Sequence, residues 1–243
     1  MFVVIPEGML PDGKARMISL RNVDSSGNAV TSATSMVWGP TSTDTSLTNY
    51  TKVPTTDNAG STSTGSSSSG YLPSDNFTGV QSYVDAKAKY SISTPYTPSP
   101  YLGDDKTLNP EYCKEISGYN NALSDFNGLS NTETLVGLGT DYVAANAAWN
   151  YSDGVSNTQW YLPAMGELGF LMPRFNEINA AITAAGGTAV SGGYYYWSSS
   201  EFSSYNAYYL NTISGCVYGN HGKSTNYSVR PLAIIGNNIE GQA

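Results

Sequence analysis

Short apolar runs separated by turn residues mark the beginning of the chain. The first extends from Phe2 to Ile5 and the second from Ala15 to Leu20, and a Pro, Asp and Gly turn joins them. Two β-rich runs around such a turn predict a β-hairpin. We expect the strand at the N-terminus to pair deep in its sheet.

Helical spacing first appears between Asn131 and Asn150. Thr132 with Glu133 is a suitable start for one short helix. Asp141 is a suitable N-cap for a second helix, which carries Val143, Ala144, Ala147 and Ala148.

A longer amphipathic pattern follows the motif "WYLPAMGEL". Its apolar residues recur at three- and four-residue spacing, which predicts a helix; they are Leu168, Leu171, Phe175, Ile178 and Ile182. Pro173 must kink or split this helix, because proline lacks the backbone N–H. Gly186 and Gly187 are its stop signal. Every later segment is short, aromatic and punctuated by turns, which predicts β-structure.

The stretch from about residue 41 to 100 has a different composition. It is rich in Ser, Thr, Gly and Pro, with "GSTSTGSSSSG" at its centre, which is typical of a flexible linker. The apolar residues that follow indicate that part of it folds back on the body: Tyr71, Phe77, Val80 and Tyr83. We therefore interpret it as an insertion in a single domain that spans residues 1–243.

Charge and hydropathy exclude some classes of partner. The net charge is −8, and eleven Lys and Arg residues form no basic run, which argues against nucleic acid and against anionic membranes. No stretch is apolar and long enough to cross a bilayer, and the start lacks the basic segment of a signal peptide. We expect no nucleic-acid partner and no direct membrane insertion.

Catalytic motifs are absent from the sequence. The single histidine, His221, lies in a "GNHGK" turn, and no nucleophile elbow, zinc-protease or phosphate-loop motif occurs. We expect Glu167 and Glu201 to accept hydrogen bonds from backbone or hydroxyl groups. The sequence leaves a glycosidase with paired carboxylates open, because such pairs meet in space and not along the chain. Cys113 and Cys216 match no metal spacing, and a disulfide or two free thiols are both open.

Tyrosine is concentrated near the C-terminus. Eight of the 19 tyrosines lie between Tyr194 and Pro231, and only Glu201 and Lys223 carry charge between Trp197 and Ser228. Two explanations are open. Tyr among Ser, Gly and Asn is typical of recognition loops, because it offers a large contact area with few rotatable bonds. Aromatic ladders on polar β-strands are the alternative.

Three motifs in order carry a resemblance to a known family. The segments "NTQWYLPAMGELGFL", "YYYWSSSE" and "VRPLAII" resemble the formylglycine-generating-enzyme-like branch of the C-type lectin fold, most closely its variable proteins diversified by retroelements. The N-terminal hairpin and "MVWGP" are similar to that family's opening strands. The resemblance implies an α+β C-type-lectin-like domain, with a twisted antiparallel sheet, two helical regions and long loops.

The resemblance also implies a function. In those variable proteins, a retroelement mutates adenines, so that AAY asparagine codons become other NNY codons between fixed "WSSSE" and "VRP" borders. The segment from Phe202 to Gly222 contains no Lys, Gln, Glu, Met or Trp, types that this mutagenesis cannot reach. A hypervariable, ligand-binding region at about residues 197–231 is therefore expected, in a receptor-recognition or adhesin-type protein on a phage particle or bacterial surface.

The resemblance assigns residues to two roles. Scaffold roles fall on Trp160, Leu162, Pro163, Glu167, Leu168, Trp197, Glu201, Arg230 and Pro231. Variable, ligand-binding roles fall on Tyr205, Asn206, Tyr208, Tyr209, Asn211, Thr212, Ser214, Cys216, Tyr218, Asn220, His221, Ser224, Asn226 and Tyr227. We expect the exposed centre of the site to be formed by Tyr205, Tyr208, Tyr209, Tyr218 and Tyr227.

Two departures from related proteins limit the expected chemistry. The calcium-binding triplets of sugar-binding C-type lectins are absent, and Cys216 stands alone where the formylglycine-generating enzymes carry a cysteine pair. We therefore expect no metal, no cofactor and no enzymatic activity. The expected partner is a protein or glycan on a target surface, and a homo-oligomer is open. The alternative function is a fixed structural subunit of a pilus or phage fibre; a hydrolase ranks behind both.

Overall fold

A computed structural model describes residues 2–7, 10, 13–32, 34–45, 125–154, 158–171, 175–190, 195–211 and 219–238. These residues form a mixed α+β structure with antiparallel sheets. The predicted insertion lies outside the described residues from position 46 onward. Cys113, Pro173 and residues 212–218, which include Cys216, also lie outside them.

The strands and helices follow one another in a fixed order along the chain. The strands are β1 Phe2–Ile5, β2 Arg16–Ser19, β3 Asn22–Val23, β4 Ala29–Val30, β5 Thr158–Tyr161, β6 Tyr195–Glu201, β7 Asn206–Asn211, β8 Gly219–Gly222 and β9 Leu232–Asn238. The helices are α1 Gly128–Leu138, α2 Val143–Trp149, α3 Met165–Leu171 and α4 Phe175–Ala184.

The first sheet joins the two ends of the described chain. Its strand order is β1-β2-β9-β5, with all neighbours antiparallel. The predicted hairpin of β1 and β2 is confirmed, and β2 pairs with β9 through Ile18 opposite Leu232. The expectation that the first strand pairs deep in the sheet is wrong. All four residues of β2 are buried, so β2 takes the inner position. Among the described strands, β1 lies at the edge of this sheet, with Val4 51% exposed.

The second sheet carries the tyrosine-rich segment. Its order is β6-β7-β8, and it is antiparallel throughout. Trp197 pairs with Tyr209, and Ala207 pairs with His221. Because paired residues share a face of the sheet, these side chains alternate with those of Tyr208 on the opposite face. The predicted β-structure of this region is confirmed.

The helices follow the predicted order with shifted boundaries. Thr132 and Glu133 lie inside α1, which already begins at Gly128. The N-cap of α2 is Tyr142, which makes no side-chain capping bond, so the prediction of Asp141 as the cap is wrong. The long amphipathic pattern forms two helices, α3 and α4, on either side of residues 172–174.

A hydrophobic cluster connects α1 and α2 to the sheets β1-β2-β9-β5 and β6-β7-β8. It contains Trp38, Trp160 and Trp197, each no more than 1% exposed. The alanines of α2 allow that helix to approach the sheets closely, because their side chains occupy little volume; those buried are Ala144, Ala145, Ala147 and Ala148.

Candidate ligand-binding site

The three serines after Trp197 form a buried polar strip on β6. Ser198 Oγ donates to the carbonyl of Tyr208 at 2.8 Å. Ser199 Oγ accepts from the Asn131 side chain at 3.2 Å. Since buried polar groups are stable only when hydrogen-bonded, these bonds explain why hydroxyl side chains occupy the buried part of this strand.

Asp125 is the centre of this polar network, and sequence reasoning missed it. Its Oδ2 accepts from Ser200 Oγ at 2.6 Å and from Asn131 Nδ2 at 2.9 Å, while its Oδ1 accepts from the Asn127 N–H at 3.0 Å. The sequence did carry a signal for Asp125, which lies three residues before the start of α1. Carboxylates are favoured there because they accept hydrogen bonds from the backbone N–H groups near the beginning of a helix. Asp125 therefore fixes the start of α1 against β6.

Glu201 ends β6 in a second buried network. Its carboxylate forms an ion pair with Lys223, and it accepts from the N–H of Thr45 at 3.2 Å and from the hydroxyl of Thr45 at 2.6 Å. The Lys223 ammonium also donates to the Thr43 carbonyl at 2.8 Å and lies 4.8 Å from the ring centroid of Trp38. Residues 43–45 are thus held against the end of the second sheet.

Glu167 lies in a comparable buried network, with partners on β2 and β5 of the first sheet. Its Oε1 accepts from Arg16 Nε at 3.2 Å and from the Tyr161 hydroxyl at 2.8 Å, and its Oε2 accepts from the Ala164 N–H at 2.8 Å. Desolvation outweighs these favourable contacts and raises the pKa of Glu167 to about 7. The prediction that Glu167 and Glu201 accept backbone and hydroxyl hydrogen bonds is confirmed.

The C-terminal border of the tyrosine-rich segment is also buried. Arg230 donates to the carbonyls of Ser19 and Thr188, at 3.0 and 2.8 Å. Burial lowers the pKa of its guanidinium. The structure places every residue with a predicted scaffold role in the interior: Trp160, Leu162, Pro163, Glu167, Leu168, Trp197, Glu201, Arg230 and Pro231.

The predicted ligand-binding residues fall into different environments. Four have exposed side chains: Tyr205, His221, Ser224 and Asn226. Asn206 and Tyr227 are partly buried. The side chains of Asn211 and Asn220 are not described, and four of the predicted residues lie outside the described part: Thr212, Ser214, Cys216 and Tyr218.

Two members of the predicted exposed centre are instead core residues. Tyr208 is 1% exposed and Tyr209 is 3% exposed, so the expectation that they are exposed is wrong. Tyr208 packs edge-on against Phe202 on one face of β7, and Tyr209 packs against Trp197 on the other. Both faces of β7 are covered, which a count of tyrosines cannot reveal. Burial raises the pKa of Tyr208 well above its usual range.

An aromatic cluster lies on the Tyr209 face of this sheet. Tyr227 is at its centre, with ring centroids 4.6 Å from Trp197, 4.8 Å from Tyr209 and 4.9 Å from Tyr195. His221 lies 5.9 Å from Tyr227 at the exposed side. Tyr195 was not among the predicted site residues, because it precedes the "WSSSE" border; its pairing opposite Asn211 places it on this face.

Within the described ranges, the side chains form no group of three or more His, Cys, Asp or Glu residues suited to hold a metal ion. None of the helices there combines the length and apolar character that a membrane crossing requires.

Comparisons with known proteins give one structural similarity. No family model matches the chain, and no curated protein matches it. The chain is similar to the crystal structure of a fimbrial protein from Bacteroides ovatus, at 16% identity and a TM-score of 0.43. The similar region covers 90% of this chain and 35% of the fimbrial chain. A similarity at this level establishes neither a shared family nor a shared function.

Proposed function

We propose that this chain is a ligand-binding protein of the adhesin type, in which a C-type-lectin-like domain presents a variable recognition surface. One observation carries the proposal. The exposed side chains of Tyr205, His221, Ser224 and Asn226 lie between two buried borders, at residues 197–201 and 229–231. Exposed positions between fixed borders are free to change without disturbing the fold.

Tyr205, Ser224 and Asn226 lie next to one end of the β7–β8 hairpin, and His221 lies on β8 close to the same end. Asn206 pairs with Gly222, and the N–H of Lys223 donates to the carbonyl of Tyr205 at 2.9 Å. Tyr205 therefore lies beside the turn that carries Ser224 and Asn226. We call the surface formed by Tyr205, His221, Ser224 and Asn226 the hairpin surface.

The buried networks give the hairpin surface a rigid support. Lys223 is fully buried between the exposed His221 and Ser224, and its ion pair with Glu201 ties the hairpin to β6. A binding surface that is already ordered loses less conformational entropy when it binds. Tyr205, which is 60% exposed, is the large aromatic side chain best placed to act as an anchor on the target.

The family resemblance supplies the rest of the proposal. A retroelement would change the exposed residues from copy to copy, and the target would be a protein or glycan on another surface. The protein would act outside the cell, on a bacterial surface or a phage particle, without metal, cofactor or enzymatic activity.

A second candidate is favoured by the edge of the first sheet. β1 is the outermost strand of that sheet in the described residues, and its Val4 is 51% exposed. Edge strands with exposed apolar side chains are suited to pair with another chain. A fixed structural subunit of a pilus or fibre would use such an edge, and its hairpin surface would not vary.

Sequencing gene copies from sibling isolates separates the two candidates. The variable-protein proposal predicts substitutions at Tyr205, His221, Ser224 and Asn226, a nearby reverse-transcriptase gene, and a template repeat with adenines at the varying codons. Lys223 and Glu201 serve as internal controls, because their buried ion pair requires that both stay unchanged. Copies that are identical across this segment, with no template repeat, would support the fixed subunit instead.

A further inference from the structure

The aromatic cluster has a buried floor and an accessible rim. Trp197 and Tyr209 are at most 3% exposed and form the floor. Tyr195 and Tyr227 are partly buried, and His221 is exposed. A ligand can therefore reach the last three side chains, while the floor keeps their rings in place. This graded burial distinguishes the cluster from an ordinary piece of core.

The rim offers several hydrogen-bonding groups in a small area. Burial raises the pKa of Tyr227 well above its usual range, and the neighbouring Tyr209 and Tyr195 raise it further, so the Tyr227 phenol keeps its proton. His221 Nδ1 is 2.6 Å from Thr225 Oγ1, which orients the imidazole and leaves Nε2 on the opposite side of the ring.

The cluster contains no carboxylate, ammonium or guanidinium group. The charged side chains nearest in sequence, Glu201 and Lys223, are fully buried and paired with each other. A charged ligand group placed against the rim would lose water without gaining a partner of opposite charge, which is costly. The ring centroids of Trp197, Tyr209 and Tyr195 also lie 4.6–4.9 Å from that of Tyr227. The rings therefore fill the space that an aromatic cage would leave open for a cation.

We propose that Tyr195, Tyr227 and His221 form a subsite for an uncharged carbohydrate. This inference rests on the proposed ligand-binding function and names the class of ligand. Aromatic rings pack against the C–H faces of a sugar, and the phenol hydroxyls and His221 Nε2 exchange hydrogen bonds with its hydroxyl groups. The subsite is calcium-independent, because none of its three side chains carries a carboxylate or amide oxygen of the kind that binds calcium.

Tyr195 is the residue of the subsite that we expect to be the same in every copy of the gene. It lies outside the segment between the "WSSSE" and "VRP" borders, so diversification would leave it in place in every copy. The exposed residues around it would change which sugar is preferred. The general class of ligand would then stay the same while the exact target varies.

Saturation-transfer NMR on the full chain tests this inference, with glucose, galactose, mannose, N-acetylglucosamine and lactose at millimolar concentration. When the aromatic protons of the protein are irradiated, saturation is expected to transfer to the ring protons of at least one sugar. The transfer should be the same with and without EDTA. Tyr195→Phe, Tyr227→Phe and His221→Ala each remove a hydrogen-bonding group and should weaken binding about fivefold. Leu138→Ala, at an exposed position on α1, is the matched control and should bind normally.

Each outcome decides the inference. Transfer to none of the sugars, transfer only with calcium, or equal binding by the three variants overturns it. The thermal midpoint of each variant must match that of the unaltered protein, and Tyr195→Phe keeps the test valid if Tyr227→Phe perturbs the cluster. Failure here would leave the proposed function standing if sibling genes still vary at the hairpin surface, because that comparison does not depend on the ligand.

Discussion

Lys223 and Glu201 form an ion pair in which both side chains are completely buried. They are the only charged residues between Trp197 and Ser228, and the fold brings them together across 22 positions. The pair also binds Thr43 and Thr45, so it connects the tyrosine-rich segment to the N-terminal part of the chain. Lys223 is thus a fixed interior residue within a stretch of exposed neighbours.

Breaking this ion pair on one side should destabilise the fold strongly. Lys223→Met leaves the Glu201 carboxylate buried without its cation, and we expect a loss of about 3–5 kcal/mol. Lys223→Met combined with Glu201→Gln removes both charges and should lose less than the sum of the two single variants. Urea unfolding of the three variants measures this difference. Single-variant losses below about 1 kcal/mol would contradict the structure of the pair.

The close approach of Gly128 to Glu167 gives a second prediction. A Cβ at Gly128 would lie 2.2 Å from Glu167 Oε2 and 2.8 Å from the backbone N of Ala164. Gly128→Ala should therefore unfold the protein or lower its stability by several kcal/mol, since overpacking a rigid core is costly.

Gly137 is a matched control in the same helix. A Cβ there meets no atom within 4 Å. Gly137→Ala should stabilise α1 by up to about 1 kcal/mol, because alanine is the better helix former. Thermal unfolding compares the two variants, and equal effects would show that the packing around Gly128 is looser than described.

The raised pKa of Glu167 predicts a pH dependence of stability. Its carboxyl has a pKa of about 7 in the folded protein and about 4.5 when unfolded. Between these values the folded state holds the extra proton, so this group lowers stability as pH rises from about 4.5 to 7, by about 3 kcal/mol in total. Above pH 7 its contribution is constant.

Glu167→Gln isolates this contribution, because glutamine does not titrate. The difference in unfolding free energy between the unaltered protein and Glu167→Gln should move in favour of the variant as pH increases from 4.5 to 7. Denaturant unfolding at several pH values gives this difference. A difference that is constant with pH, or that moves the opposite way, would show that Glu167 is ionised in the folded protein throughout this range.

Local sequence patterns predicted much of the fold. The hairpin of β1 and β2 follows from two apolar runs around a turn, and the end of α4 follows from Gly186, which has a φ of 75°. These features depend on neighbouring residues only. The edge position of β1 depends instead on which strand β9 joins, and nothing within Phe2–Ile5 specifies that.

In the candidate site, the sequence predicted the environment of residues that belong to the motifs "WYLPAMGEL" and "WSSSE", and not that of the residues between the motifs. The carboxylates of Glu167 and Glu201 were correctly expected to accept hydrogen bonds. The burial of Tyr208 and Tyr209 was not, because tyrosine is equally compatible with an exposed surface and with an aromatic core. Asp125 was missed because its partners Ser200 and Asn131 are distant or unremarkable in sequence.

Trp197 should be among the most sensitive positions in the chain. Its ring is fully buried against Tyr209 and Tyr227, and its Nε1 donates to the Met36 carbonyl at 2.8 Å. Trp197→Ala should cost about 3–5 kcal/mol, because it leaves a large cavity. Chemical unfolding measures this cost, and a loss below about 1 kcal/mol would contradict the packing.

Thermal unfolding of two multiple variants tests most directly whether the hairpin surface is separate from the fold. Replacing Tyr205, His221 and Asn226 by serine and Ser224 by alanine should cost about 2 kcal/mol or less in total, since exposed substitutions cost about 0.5 kcal/mol each. Tyr208→Ser with Tyr209→Ser should cost about 3 kcal/mol or more per residue, because both rings are buried. The account predicts a fall in the midpoint of a few degrees at most for the first variant and a much larger fall for the second. A large fall for the first would contradict it.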